Sequence, residues 1–417
     1  MRFTCFLLCL CAALVVGCGD GVAPTPTPTG TVARPTPTPA VRATATPTVQ
    51  PTPVAIPAQP DDFAAYPRVI ADYLTAAGAT ALGPPCLKAL LREWVMPETD
   101  DPSRCVLGNT DSDPAGEIVA IFTAAPSLPG PEVRANVVVF DARDGRYDVA
   151  FESVSMPEQP AQIMPESAAL LAASDINADG LGELVYVTTS CGAHTCFDTV
   201  HIFTGTAEGY HSLSGDELAM AFADISLTDR DDDGVQELVM HGGTIGSIGA
   251  GPQRSRTEVY DWDGTQYTLV ETTYDPSNFL YLRLRDADDA FAAGRYLEAA
   301  DMYSSALEDT SLDLWNPEER AELDPYALFR IALSLLAAGE APSEAVAALD
   351  RALEGYPGSA HGELARAFRD SYLARADLPA ACQAARDYAA ANLDRFTILW
   401  DYGYANPEFD VVLLCPL

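Results

Sequence analysis

Asp175-Ile-Asn177-Ala-Asp179-Gly180-Leu181-Gly-Glu183 is answered 54 positions later by Asp229-Arg-Asp231-Asp-Asp233-Gly234-Val235-Gln-Glu237. Both stretches carry side-chain oxygens at positions 1, 3 and 5, a glycine at 6 and a glutamate at 9. Alternating oxygens wrap a hard cation, and the glycine takes the sharp turn that brings them round. Each loop then runs straight into an apolar strand, Leu184-Val-Tyr-Val or Leu238-Val-Met. The expected element is a cation-clipped β repeat.

A weaker third copy starts at Asn109, 66 positions before the first, and continues through Asp111 and Asp113 to Glu117-Ile-Val. Pro114 stands where the glycine belongs. Proline cannot take a positive φ, so this copy is expected to keep the outline of the turn and lose the metal. Each loop has the same sequel: a strand ending in an aromatic, a turn, and a second aromatic. The copies run Val137 to Phe140 and on to Tyr147, Val200 to Phe203 and Tyr210, and Val259 to Trp262 and Tyr267. From loop glutamate to second aromatic the spacing is 30, 27 and 30 residues. The Asp-Gly and Glu-Gly turns between them read as β-hairpins. Three copies in step mark a repeat.

This pattern resembles the FG-GAP or VCBS-type repeats, whose members build β-propeller blades around D-x-[DN]-x-D-G-x-x-[DE] loops. The resemblance implies one Ca²⁺ site made of Asp175, Asn177, Asp179, the Leu181 carbonyl and Glu183. It implies another made of Asp229, Asp231, Asp233, the Val235 carbonyl and Glu237. Three blades are fewer than the roughly four to eight that close a propeller. Either a degenerate blade lies within residues 60 to 108, or the array is open or compact. The helical pattern of Tyr66 to Leu74 and of Leu87 to Trp94 argues against a hidden blade.

From Asn278 the period becomes helical and the composition rich in alanine and leucine. Gly294, Tyr296, Ala299, Tyr303, Ala306 and Leu307 fall at offsets that resemble the tetratricopeptide repeat, and weaker copies follow around Gly339 to Pro357 and Ala376 to Tyr388. Their roles are packing. Stacked helix pairs leave a concave groove suited to a peptide or protein segment. The expected fold is therefore multidomain. A β-rich repeat domain of about three propeller-like blades (107–275) is followed by an α-helical, tetratricopeptide-like domain with a C-terminal cap (276–417), and a helical lead-in (60–106) precedes both.

The N-terminus points outside the cytosol. Met1-Arg2 precedes an apolar run from Phe6 to Val16 that is too short to span a bilayer. Val15-Val16-Gly17-Cys18 resembles the lipobox of bacterial lipoproteins, which implies a signal peptide over 1–17 and a lipid on Cys18. Residues 18–59 then form a Pro/Thr-rich tether, extended as polyproline II with a reach on the order of 100 Å. Beyond Cys18 six cysteines remain. Sequence-local disulfides Cys86–Cys105, Cys191–Cys196 and Cys382–Cys415 are expected, with zinc on Cys191, His194 and Cys196 as the alternative.

A formal charge of −36, from 24 basic and 60 acidic residues, disfavours nucleic acid. The five histidines show no metal-ligand spacing, and no Gly-x-Ser-x-Gly elbow occurs. The Gly-rich stretch from Gly242 to Gly251 lacks the Gly-Lys-Ser/Thr ending of a phosphate loop; it reads as a loop on the same face as the Cys191–Cys196 turn. The leading expectation is a membrane-anchored, non-enzymatic binding or scaffold lipoprotein of the bacterial envelope. Structural Ca²⁺ would stiffen it, and its partner would be a protein or glycan. An envelope assembly factor that recruits an enzyme stands second, and a hydrolase of envelope polymers third.

Overall fold

The computed structural model describes residues 54–78, 86–94, 104–111, 115–123, 135–155, 165–400, 402–407 and 410–417. The signal peptide, Cys18, most of the tether, Asp113 and Pro114 lie outside the described residues. Among the described residues no helix is long and apolar enough to cross a membrane.

Three antiparallel sheets follow one another along the chain. Sheet 1 holds β1 (Cys105–Gly108), β2 (Glu117–Thr123), β3 (Ala135–Arg143) and β4 (Arg146–Glu152) in that order. Sheet 2 holds β5 (Ser167–Ser174), β6 (Glu183–Cys191), β7 (Cys196–Thr206) and β8 (Gly209–Ser212), with β9 (Leu218–Ala221) paired to the other end of β7. Sheet 3 holds β10 (Asp224–Thr228), β11 (Glu237–Gly242), β12 (Arg256–Trp262) and β13 (Tyr267–Tyr274).

Period-2 alternation explains the stacking. On β2, Ile118, Ala120 and Phe122 pack with α1 (Tyr66–Ala77) and α2 (Lys88–Glu93), while Val119 and Ile121 pack against sheet 2. On β6, Leu184 and Tyr186 face sheet 1, and Val185 and Val187 join Leu238, Met240 and Tyr267 of sheet 3. Strands covered on both faces need apolar residues at every position, which is why β2 and β6 read as unbroken apolar runs. Sheet 3 ends the stack: β13 is exposed from Leu269 onward. The sheets thus form an open stack whose other end is covered by helices, in keeping with the helical pattern of residues 60 to 94. Residues 54–59, assigned above to the tether, lie against this helical cap. Ile56 packs on its core, and Trp94 Nε1 donates to the Pro57 carbonyl at 2.9 Å.

The helical region comprises α3 (Leu280–Ala292), α4 (Tyr296–Glu308), α5 (Glu319–Ala337), α6 (Pro342–Gly355), α7 (Ala360–Arg375) and α8 (Leu378–Ala391). Ala299, Ala306, Ala332, Ala345, Ala352, Ala381 and Ala385 are all buried in its core. Small side chains there let neighbouring helices approach closely, as the sequence implied. Ser359 and Asp377 cap α7 and α8, accepting from the N–H of Gly362 and Ala380.

The C-terminal segment lies within this array. Arg330 on α5 donates to the carbonyls of Leu413 and Leu414, both at 3.3 Å, at the end of α9 (Val411–Leu414). Arg386 donates to the carbonyls of Cys415 and Leu417. The C-terminal segment is thus held against α5 and α8. Beside it lies a cavity of about 350 Å³ lined by Tyr281, Arg285, Asp288, Tyr326, Arg330 and Leu417, among others. Residues 402–406 join the two halves. Tyr402 stacks on Tyr281 at 3.8 Å, while the N–H groups of Tyr404 and Ala405 donate to the carbonyls of Gly249 and Ala250. Gly251 runs so close to the Tyr402 carbonyl that any side chain there would collide with it. Close backbone approach is thus one role of the Gly-rich stretch. An Arg254–Asp286 ion pair at 2.5 Å adds to the seam.

His361, at the start of α7, is fully buried between Tyr326 and Phe396, and neither ring nitrogen has a hydrogen-bond partner. Burial lowers its pKa to about 3, although Glu322 Oε2 stands 3.9 Å from Nδ1. The unfolded imidazole takes its proton near pH 6.5, whereas the folded one stays neutral far below that. Its contribution is therefore complete above pH 6.5 and is lost as pH falls toward 3. The slope is about 1.4 kcal/mol per pH unit for one proton. In urea titrations between about pH 6 and 4 the parent should lose stability relative to His361→Leu at about that slope, a difference of one proton.

Candidate metal loops and their surroundings

The two acidic loops share one hydrogen-bond skeleton. In the first, Gly180 N–H donates to Asp175 Oδ2 at 3.0 Å, Asp179 N–H to Asn177 Oδ1 at 3.0 Å, and Leu181 N–H to Asp179 Oδ1 at 2.8 Å. In the second, Gly234 N–H donates to Asp229 Oδ2 at 3.0 Å, Asp233 N–H to Asp231 Oδ1 at 3.2 Å, and Val235 N–H to Asp233 Oδ1 at 2.8 Å. Position 6 is left-handed in both, with φ of 89° at Gly180 and 94° at Gly234. The backbone thus holds one oxygen of each side chain and turns the carboxylates toward one another.

The glutamate at position 9 closes the loop. Glu183 Oε2 accepts from the Ile176 N–H at 2.9 Å, and Glu237 Oε2 from the Arg230 N–H at 2.7 Å. The weak third copy keeps this bond, from the Thr110 N–H to Glu117 Oε2 at 2.5 Å. Glu183 is 0% exposed, and its Oε1 has no hydrogen-bond partner. Burial, then the neighbouring Asp179 and Asp175 carboxylates, push its pKa up to about 7. In the second loop, Asp229, Asp231 and Asp233 each offer an oxygen within 4.8 Å of the others. The second loop thus gathers three carboxylates and the first leaves a buried oxygen free, features that would each suit a hard divalent cation. Asn177 lies within the first loop and is hydrogen-bonded to Asp179.

Each loop is also a joint between sheets. The Ile176 carbonyl, at position 2, accepts from the Gln236 N–H at 2.8 Å and from the Tyr267 hydroxyl at 3.4 Å. One sheet earlier, the Thr110 carbonyl accepts from the Gly205 N–H at 3.0 Å, and Thr110 Oγ1 meets the Tyr210 hydroxyl at 2.7 Å. The second hairpin aromatic therefore reaches back to the loop of the preceding sheet. Tyr147 has no preceding sheet and packs against the helical cap instead, its N–H on Thr75 Oγ1 at 2.9 Å. Sequence spacing found these tyrosines, but their partners could be read only from the fold.

The six cysteines pair as expected, Cys86 with Cys105, Cys191 with Cys196, and Cys382 with Cys415, each at disulfide distance. The Gly-rich loop and the Cys191–Cys196 turn do meet, through Gly246 N–H on Thr195 Oγ1 at 3.1 Å. They border an open cleft of about 1360 Å³ whose lining includes Tyr186, Phe197, His201, Asp216, Glu217 and Tyr404. His201 stacks on Tyr186 at 4.7 Å, and burial lowers its pKa to about 4, so it sits there as a neutral packing group. The sequence did not foretell this cleft; only the clustering of two odd loops hinted at it.

Compared with known protein families, with curated proteins and with solved structures, the chain matches none.

Proposed function

We propose that this chain is a membrane-anchored, extracytoplasmic lipoprotein that serves as a non-enzymatic binding or scaffold module. The observation that carries the reading is the double role of the acidic loops. The carboxylates of the second loop converge, and the peptide at position 2 of the first loop is gripped by the next sheet. A cation held there braces a joint, which is a structural task. In the first loop, Asp175, Asn177, Asp179, the Leu181 carbonyl and Glu183 would hold Ca²⁺. In the second, Asp229, Asp231, Asp233, the Val235 carbonyl and Glu237 would do so. The bound ion offsets carboxylate charge that the sheets otherwise leave uncompensated.

Three sheets, in two of which such a loop joins the first two strands, support the likeness to FG-GAP or VCBS-type repeats. The buried alanines between successive helices support the likeness to tetratricopeptide repeats. A lipid on Cys18 would anchor the module, and the tether would hold it off the membrane. The partner would be a protein or a glycan of the envelope, and the cleft beside the Cys191–Cys196 turn is the surface most open to it. The helical cavity that the C-terminal segment leaves free gives the second reading, an assembly factor that recruits an enzyme, its own observation.

Calorimetry with Ca²⁺ and with chelator tests the metal. A ligand at about 100 times its dissociation constant stabilises the folded state by about 2.7 kcal/mol per site. Saturating Ca²⁺ should therefore raise the melting temperature by roughly 5 to 10 °C. An unchanged melting temperature sinks the reading.

A further inference from the structure

Sheet 1 carries an acidic centre that differs from the two loops. Ile118 pairs with Phe140, and this register brings Glu117, at the start of β2, to face Asp141 on β3. Glu117 is 0% exposed, Asp141 2% and Asp111 9%. Each offers one carboxylate oxygen, and the three oxygens lie within 4.8 Å of one another. Thr110 holds Glu117 Oε2 through its N–H at 2.5 Å and its hydroxyl at 3.3 Å. Glu117 Oε1 and Asp141 Oδ1 are both buried without a hydrogen-bond partner.

Arg143 pairs through Nε with Asp141 Oδ2, and its Nη2 stands 3.9 Å from Asp111 Oδ2. Arg143 engages Asp141 on Oδ2 and leaves its Oδ1, like Glu117 Oε1, without a hydrogen-bond partner. Buried carboxylate oxygens without a partner are unfavourable, and a bound cation supplies one. Oxygens bound on opposite sides of one cation, at about 2.3–2.6 Å each, stand about 4.6–5.2 Å apart. The cluster is on that scale.

We propose that Asp111, Glu117 and Asp141 bind a divalent, oxygen-seeking cation of the Ca²⁺ kind inside sheet 1. The site draws on Asp141 from the neighbouring strand, where sheet 2 has Thr204 facing Glu183. Sheet 1 would thus keep a metal after its loop lost the glycine, by recruiting a ligand from across the sheet.

The experiment counts Ca²⁺ per chain by equilibrium dialysis and elemental analysis on the full chain in detergent. The variant Asp179→Asn with Asp233→Asn weakens both loops and leaves sheet 1 untouched. It should retain one Ca²⁺, and Asp141→Asn added to it should remove that ion. Separately, Asp141→Asn or Glu117→Gln in the parent chain should lower the count by one, with unchanged near-ultraviolet circular dichroism. Retention of no ion by the loop variant overturns the proposal, whether or not the sheet 1 variants fold. So does a retained ion that survives both Asp141→Asn and Glu117→Gln. Failure of the loops themselves would appear as a parent chain holding a single ion, and would leave the difference made by Asp141→Asn intact.

Discussion

Arg330→Met should destabilise the chain by about 3–5 kcal/mol, read as a shift of the urea midpoint at unchanged slope. Arg330 is 2% exposed and sits at the centre of a buried network. Its Nε donates to the Tyr303 hydroxyl at 2.9 Å and lies 3.3 Å from Asp288 Oδ1. That same Asp288 oxygen accepts from the hydroxyls of Tyr303 and Tyr326, both at 2.6 Å. The guanidinium also covers the Phe291 ring at 4.3 Å. Methionine keeps much of the volume but leaves Asp288 with only the more distant Arg285, 3.7 Å away, and the Leu413 and Leu414 carbonyls without this donor. Two further measurements separate these losses. Asp288→Asn on the Arg330→Met background should cost much less than it does alone, because the Arg330 charge that Asp288 serves has already gone. The C-terminal segment should become sensitive to protease in the variant, while Cys382–Cys415 still tethers it.

Gly182→Ala should be comparably damaging, for a steric reason. A Cβ at Gly182 would overlap the Asn109 carbonyl oxygen, well under the 3.0 Å that real Cβ atoms keep. The obstacle is backbone, so only separating sheet 1 from sheet 2 relieves it. Burial of Val119, Ile121, Val137, Val139 and Phe151 against Leu184, Tyr186 and Phe203 depends on that approach. A loss of about 3 kcal/mol or more is expected. Gly180→Ala is the internal control. That site has open space around it and a φ of 89°, so alanine there meets only backbone strain, about 1–2 kcal/mol. A Gly182→Ala variant no less stable than Gly180→Ala would show that the sheets do not pack through this contact.

The contrast between these glycines shows what the sequence could tell. Gly180 and Gly234 were legible because their turns lie within a nine-residue spacing, where local chemistry decides everything. Gly182 was not, since its constraint comes from Asn109, on another sheet. Likewise the loop carboxylates announced themselves by their alternation, whereas Asp141 joins Glu117 only through strand register. The three cysteine pairs were readable because each links near neighbours in sequence. Arg330, one arginine among many on an apolar helix, gave no sign that it would be buried. The C-terminal segment read as a cap, but its docking on α5 and α8 depends on Arg330 and Arg386 finding its carbonyls.

The strap at residues 402–406 bears on how the chain is made. Asn406 Nδ2 donates to the carbonyls of Ala250, 156 positions earlier, and Pro252. A closure that long is slow relative to the local pairing of hairpins and neighbouring helices. A growing chain can complete its sheets and most of its helices well before this strap is synthesised. During that interval Gly249, Ala250 and the face of Tyr281 wait without the groups that will cover them. The junction of the two halves is thus settled by residues made after the segments they join, and a chain cut short before Tyr402 should hold two folded halves with an unfinished border between them.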